Sequence, residues 1–276
     1  MHKTVKSEIK FSGIGLHTGK MVNVTISPYE AVGGISFVRT DENSYIDANW
    51  KNVYSTTMNT RLSNDGGVTI STIEHLMAAL SFCGITKCLV EVDGPEIPIM
   101  DGSSAVFYNL LKDEVKELSI PQKQIKIIRD IMVGDDDKWV MLRPADQFSS
   151  SIKIKYNNNI IGEQEYSFDF SKISDIVKSR TFCLEQEIDY LKQNGLALGG
   201  SLDNAIVVTR DGNRVHNDFL YYDDEFARHK TIDLIGDLYL AEMPIIGHFS
   251  GYCSGHALNN KLLRKLFSDK NNYRIE

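Results

Sequence analysis

The order of apolar and polar positions separates the chain into strand-type and helix-type stretches. Residues 22–27 alternate, and 35–39 follow the Gly33-Gly34 turn in the same way. Residues 68–70 form a short β-type run. Residues 71–82 read as a helix stopped at Gly84, 87–92 as a strand ended by Gly94-Pro95, and 103 to about 115 as a second helix. Near Pro121 the pattern restarts. Residues 124–133 and 139–143 are strand-like, and 151–156 with 165–170 alternate as a hairpin around Asn157-Asn158-Asn159 and Gly162. Residues 175–195 are mainly helical, 204–209 form a strand turning at Asp211-Gly212, and 223–241 form one long helix. A strand over 245–252 and a helix over 256–267 complete the pattern.

Strands followed by helices therefore occur twice. This predicts an α+β fold of two α/β sandwich domains, residues 1–118 and 123–276, with no residue-level repeat between them. A length of 276 residues suffices for two cores. The net charge of -7, with no strongly basic tract, argues against general nucleic-acid binding. No stretch approaches the ~18 apolar residues of a membrane span, and no N-terminal segment has the signal-peptide pattern. A cytoplasmic protein without stable membrane insertion is expected. Cys83, Cys88, Cys183 and Cys253 form no C-x-x-C pair, so reduced thiols are expected and any metal must come from histidines and carboxylates.

Candidate chemistry lies on two helices and one loop. Glu74-His75 stands near the start of the first helix, where Ser71-Thr72-Ile73-Glu74 also fits a capping box. Capping and a site role both stay open for Glu74, and His75 alone could be a satisfied polar group. On the helix of residues 223–241, His229 and Asp233 are four apart and share a face. Ile232, Leu234, Ile235, Leu238 and Tyr239 cover much of its circumference, which predicts burial. The stripe of His229, Lys230, Asp233 and Asp237 is then either a solvated face or a site, because burying so many ionisable groups without partners is costly. His75, His229 and Asp233 together would suit zinc and leave one position for water, with Glu74 as the base. Ser254-Gly255-His256 lies between a strand and a helix. His256 could donate a proton, favoured by Asp237 beside it, or could be a capping or core histidine. The run Gly13-Ile14-Gly15-Leu16-His17-Thr18-Gly19 departs from G-x-G-x-x-G and reads as a turn.

These residues also carry a resemblance. Ser71-Thr72-Ile73-Glu74-His75-Leu76, Glu96-Ile97-Pro98-Ile99-Met100-Asp101-Gly102-Ser103 and Arg180-Thr181-Phe182 are signature stretches. So are Gly199-Gly200-Ser201, Asp224-Glu225-Phe226-Ala227-Arg228-His229-Lys230, Asp233-Leu234-Ile235-Gly236-Asp237 and Ser254-Gly255-His256. Over nearly its whole length the chain resembles the UDP-3-O-acyl-N-acetylglucosamine deacetylase (LpxC) family of lipid A biosynthesis. The resemblance implies helices packed between two outer sheets, with a small insert in each domain. It implies one zinc ion on His75, His229 and Asp233, a donor set that Fe(II) can also occupy, with Glu74 as general base and His256 as general acid. Thr181 and Lys230 would stabilise the oxyanion, and Asp237 would orient His256. Phe182 and Gly200 would contact the sugar. An insert of roughly residues 183–212 would form an acyl passage walled by Leu184, Ile188, Leu191, Leu196, Leu198 and residues 205–207. Cys253 stands where some relatives carry a basic residue, and Cys183 where a glycine is common. The implied partner is a UDP-linked acylated glucosamine, handled by a monomer. Two other readings remain at this point: a zinc amidase for another N-acyl sugar or peptide, and a nucleotide-sugar-binding protein with structural zinc.

Overall fold

A computed structural model describes residues 1–30 and 33–276. Two five-stranded sheets frame it. The first runs, edge to edge, Ile9–Ile14, Met21–Pro28, Cys88–Val92, Ile35–Arg39 and Ser44–Asp47. The second runs Ile131–Gly134, Trp139–Arg143, His248–Tyr252, Ser149–Lys155 and Glu163–Phe168. Each sheet is antiparallel except for one parallel pair, formed where its last strand in sequence enters beside its third. The two sheets thus share one strand order, a repeat of topology that the residues themselves do not display.

The helices are α1 (Glu74–Phe82), α2 (Ala105–Leu111), α3 (Ile173–Ile176), α4 (Glu185–Gln193), α5 (Glu225–Leu238) and α6 (His256–Ser268). Helices α1 and α5 pack on each other, α2 packs on α1, and α6 packs on α5 and the second sheet. The apolar faces of sheets and helices join in one continuous core. Each half carries an insert before its central helix. In the first half it is the sheet of Val53–Ser55, Arg61–Ser63 and Thr69–Ser71. In the second it is the parallel pair Phe182–Leu184 and Ile206–Val208, with α4 between them.

Several boundaries differ from expectation. Helix α1 begins at Glu74, because Ser71 belongs to a strand and Thr72 adopts φ 56°, which no helix can include. The second helix ends at Leu111, and Val115–Glu117 instead pairs with Lys3–Val5. The expected helix over 175–195 is split into α3 and α4 by the strand Phe182–Leu184. Two expected strands, over 124–133 and 245–252, are each broken in two. Residues 239–241 continue the long helix only as a 3₁₀ turn. Gly13 and Ile14 of the glycine-rich run end a strand. All four cysteines are free thiols, and no helix among the described residues is long and apolar enough to cross a membrane.

Candidate active site

Helix α1 places the first two site residues. Its Leu, Met and Ala positions favour helix, and all nine residues are buried, so it is a core helix that carries Glu74 and His75 inward at its first turn. Gly84 at φ 66° ends it, with Gly84 N–H bonded to Ser81 O and Ile85 N–H to Leu80 O. The capping box does not form. Glu74 is the first helical residue, and its Oε2 instead accepts the Thr60 backbone N–H at 3.1 Å. Thr72 holds its left-handed turn by donating to Glu96 Oε1 at 2.8 Å while accepting from Asn59 Nδ2. Glu96, fully buried, also accepts the amides of His17 and Thr18.

Helix α5 supplies the rest of the polar cluster. All of it except Arg228 and Lys230 is buried, so the polar stripe faces inward. His229 Nε2 lies 3.3 Å and His75 Nε2 3.5 Å from Asp233 Oδ1. The three ligand atoms lie within 4.8 Å of one another. Zinc bonds of about 2.0–2.1 Å at tetrahedral angles set two ligand atoms roughly 3.3 Å apart. His229 Nδ1 lies 3.1 Å from the Ser179 carbonyl, which takes the ring proton and leaves Nε2 bare. Burial holds the His229 pKa down at about 3, against the pull of Asp233, so the ring is neutral as a ligand must be. Burial would raise Asp233, but the Lys230 ammonium, a hydrogen bond from His75 and protonated His256 outweigh it and hold the carboxyl well below its usual range. Lys230 Nζ bonds the other oxygen, Oδ2, at 2.8 Å. The donor set therefore fits a divalent cation.

A second cluster adjoins the first. His256 opens α6, and its Nδ1 lies 2.8 Å from Asp237 Oδ2. Burial pulls its pKa down, yet Asp237, Asp233 and Glu74 outweigh burial and hold it up at about 10. Its Nε2 stands 3.9 Å from Glu74 Oε1. Burial raises the Glu74 pKa, and His256 and His75 oppose that rise. A carboxyl and an imidazole thus face each other beside the ligand set, the two kinds of group that proton acceptance and donation call for.

Glu74, His75, His229, Lys230, Asp233 and His256 all line one cavity of about 560 Å³. Thr181, Phe182 and Gly200 line it, and Leu184, Ile188, Leu191, Ala205 and Val207 form an apolar wall. Thr181 is held there because Arg180 and Glu225 form a buried ion pair at 2.9 Å that ties the segment to the start of α5. The Phe182 ring packs against His229, with centroids 6.2 Å apart, and Lys230 Nζ lies 5.5 Å above it. Leu198 does not line the cavity: it is 53% exposed and lies against Gly19. Leu196 is likewise absent from the wall. His17 does reach the cavity, with Nδ1 accepting the Ala197 amide at 3.3 Å. Cys183 lines the cavity too.

Two side chains of the site carry no local signal in the sequence. Thr60 Oγ1 donates to Asp237 Oδ1 at 2.5 Å, and Asn259 Nδ2 donates to Asp237 Oδ2 at 2.8 Å. Asn259 could have been suspected only from its place three residues after His256, on the same helical face. Thr60 lies in a short irregular stretch with no periodicity to mark it.

The family described as LpxC, UDP-3-O-acyl N-acetylglycosamine deacetylase, matches residues 2–268. Relatives from Shewanella sp. (strain ANA-3), Shewanella oneidensis and Shewanella baltica, each named UDP-3-O-acyl-N-acetylglucosamine deacetylase, are 45% identical. The alignments cover 99% of this chain and 92% of each relative.

Proposed function

The chain belongs to the UDP-3-O-acyl-N-acetylglucosamine deacetylase family, and from that premise we propose how its residues carry out the hydrolysis. The enzyme is a hydrolase that removes the N-acetyl group of a UDP-3-O-acyl-N-acetylglucosamine, leaving acetate and the free amine. In our reading this is the lipid A step that the resemblance implies. The observation that carries the assignment of roles is the meeting of His75, His229 and Asp233 with Glu74 and His256 in one cavity that also has an apolar wall.

We assign a zinc ion to His75, His229 and Asp233. When bound there it would supply Lewis-acid polarisation of the acetamide carbonyl and acidify the attacking water. Glu74 takes the proton of that water through its carboxylate. The Thr181 hydroxyl and the Lys230 ammonium face the oxygen on which negative charge develops. His256 Nε2 delivers a proton to the departing nitrogen, and Asp237 keeps the proton of Nδ1 in place. The wall of Ile188, Leu191, Ala205 and Val207 takes the acyl chain at about 0.8 kcal/mol per buried methylene, while Phe182 and Gly200 meet the sugar. Leu198, exposed as it is, has no part in that wall.

The direct test is acetate release from the acylated UDP-sugar, lost on chelation and restored by zinc. Fe(II) restoring equal activity would leave the metal open. Equal turnover of free N-acetylglucosamine would overturn the substrate assignment. His229→Ala is expected to lower zinc content measured by atomic absorption; full occupancy would remove His229 from the ligand set. Asp237→Asn tests the proton donor. Since the Asp237 carboxylate raises the His256 pKa, its loss is expected to move the basic limb of the pH–kcat/KM profile to lower pH. An unmoved limb would remove His256 from the donor role.

A cytoplasmic monomer belongs to the same proposal, as does a division into two domains, 1–118 and 123–276, each stretch carrying its own five-stranded sheet. A single species of twice the monomer mass in light scattering would contradict the first part. Limited proteolysis that spares residues 119–122 and cuts first inside either sheet would contradict the second.

A further inference from the structure

We propose that Thr60 is a positioning residue that locks the proton acceptor and the proton donor of the reaction into one unit, its backbone N–H holding Glu74 and its hydroxyl holding Asp237, which holds His256. The inference rests on the roles proposed above for Glu74 and His256. Thr60 is 2% exposed and is, among the described residues, the one that hydrogen-bonds both the Glu74 and the Asp237 carboxylates. It stands 14 residues from the first and 177 from the second, so it joins the two halves of the chain at the site.

Proton bookkeeping fixes the direction of each bond. The His256 Nδ1 proton goes to Asp237 Oδ2, which also accepts from Asn259. Oδ1 is left with one donor, the Thr60 hydroxyl, whose oxygen also lies 3.2 Å from His256 Nδ1. Asp237 is 3% exposed, so water is a poor substitute for that donor. Without it the carboxylate is held through Oδ2 alone, by Asn259 and by the imidazole it is meant to orient, so one of the two points that fix its plane is lost. The anchor itself is firm. The neighbouring Asn59 side chain donates to Thr72 and accepts from Arg61 Nε at 2.7 Å, and Thr72 in turn donates to the buried Glu96. The chain leading to Thr60 is thus tied to the turn that launches α1 and its Glu74. Thr60 does not line the cavity, so it acts through Glu74 and Asp237 and not on substrate.

The test measures kcat, KM and zinc content of zinc-loaded full-length variants. Thr60→Val keeps the amide and removes the hydroxyl. It is expected to lose roughly 10- to 100-fold in kcat through misplacement of the donor, with KM and zinc content close to wild type. Thr60→Ala, which only deletes atoms, is expected to do the same and serves where valine cannot be accommodated. Thr60→Ser is expected to restore kcat to within about 3-fold of wild type. Asp237→Asn combined with the Thr60 variant is expected to be no slower than Asp237→Asn alone, since both changes break one unit. Wild-type kcat in both Thr60→Val and Thr60→Ala, failure of serine to restore it, or fully additive losses would each overturn the proposal. Glu74→Gln, run alongside, separates the two levels. If it stays active, the reading of Glu74 itself fails; if it is inactive while Thr60→Ala is active, only the role of Thr60 falls.

Discussion

Glu74→Ala is expected to fold, bind zinc and lose nearly all turnover. The carboxylate is 4% exposed and stands outside the three-atom ligand set, so its removal leaves His75, His229 and Asp233 in place. Among the described residues, the carboxylates within 4 Å of His256 Nε2 are Glu74 and Asp233, and of the two only Glu74 stands outside the proposed ligand set. Burial raises its pKa, which makes it a stronger base than an exposed glutamate. General-base catalysis of this kind is worth about 10²- to 10⁴-fold, and the loss should fall on kcat, because Glu74 makes no part of the apolar wall. Steady-state kinetics together with zinc analysis decide the matter. A fast variant would mean that another group takes the proton, and a variant empty of zinc would mean that Glu74 shapes the ligand set.

Gly236→Ala should be nearly as damaging, although no catalytic role falls on that residue. A Cβ at Gly236 would lie 2.0 Å from Glu74 O, 2.8 Å from its carbonyl carbon and 3.0 Å from its Cα. All three are backbone atoms, so no side chain can swing aside. In an exposed helix the same change stabilises by about 1 kcal/mol. Here the sign reverses, because α1 and α5 must part to admit the methyl, and overpacking of that kind costs about 1–3 kcal/mol. The site suffers with the core. His75 rides on α1 while His229 and Asp233 ride on α5, so parting the helices widens the ligand set and draws Glu74 away from His256. Denaturant midpoint, zinc titration and kcat should all fall. A variant with wild-type stability and full zinc occupancy would show that the crossing is not as tight as described.

The Glu74 and Gly236 cases mark how far a linear reading reaches. The stripe His229, Lys230, Asp233, Asp237 was legible as a solvated face or a site, because a helix with so much apolar circumference does not bury ionisable groups without partners, and α5 buries His229, Asp233 and Asp237 with Lys230 half-buried beside them. Glu74 was not legible from its own stretch. Ser71-Thr72-Ile73-Glu74 satisfies the capping pattern, and only the left-handed Thr72 shows that the helix starts later. Leu198 looked like passage wall by composition, yet the backbone of that segment turns it outward against Gly19. The strand of Val115–Glu117 was hidden because its partner, Lys3–Val5, lies at the far end of the first half.

Periodicity, charge placement and long signature stretches were enough to determine the family and the α+β class, and to nominate the residues to which the chemistry is assigned in our proposal. They are local properties, or properties of residues fixed by the reaction they serve. The tertiary structure alone decided which carboxylate faces which imidazole, that Gly236 lets two helices touch, that Thr60 bridges the two halves, and that the two sheets repeat one strand order. Each of these depends on contacts between residues distant in the chain, where distance is set by packing and backbone shape and leaves no mark on the spacing of letters.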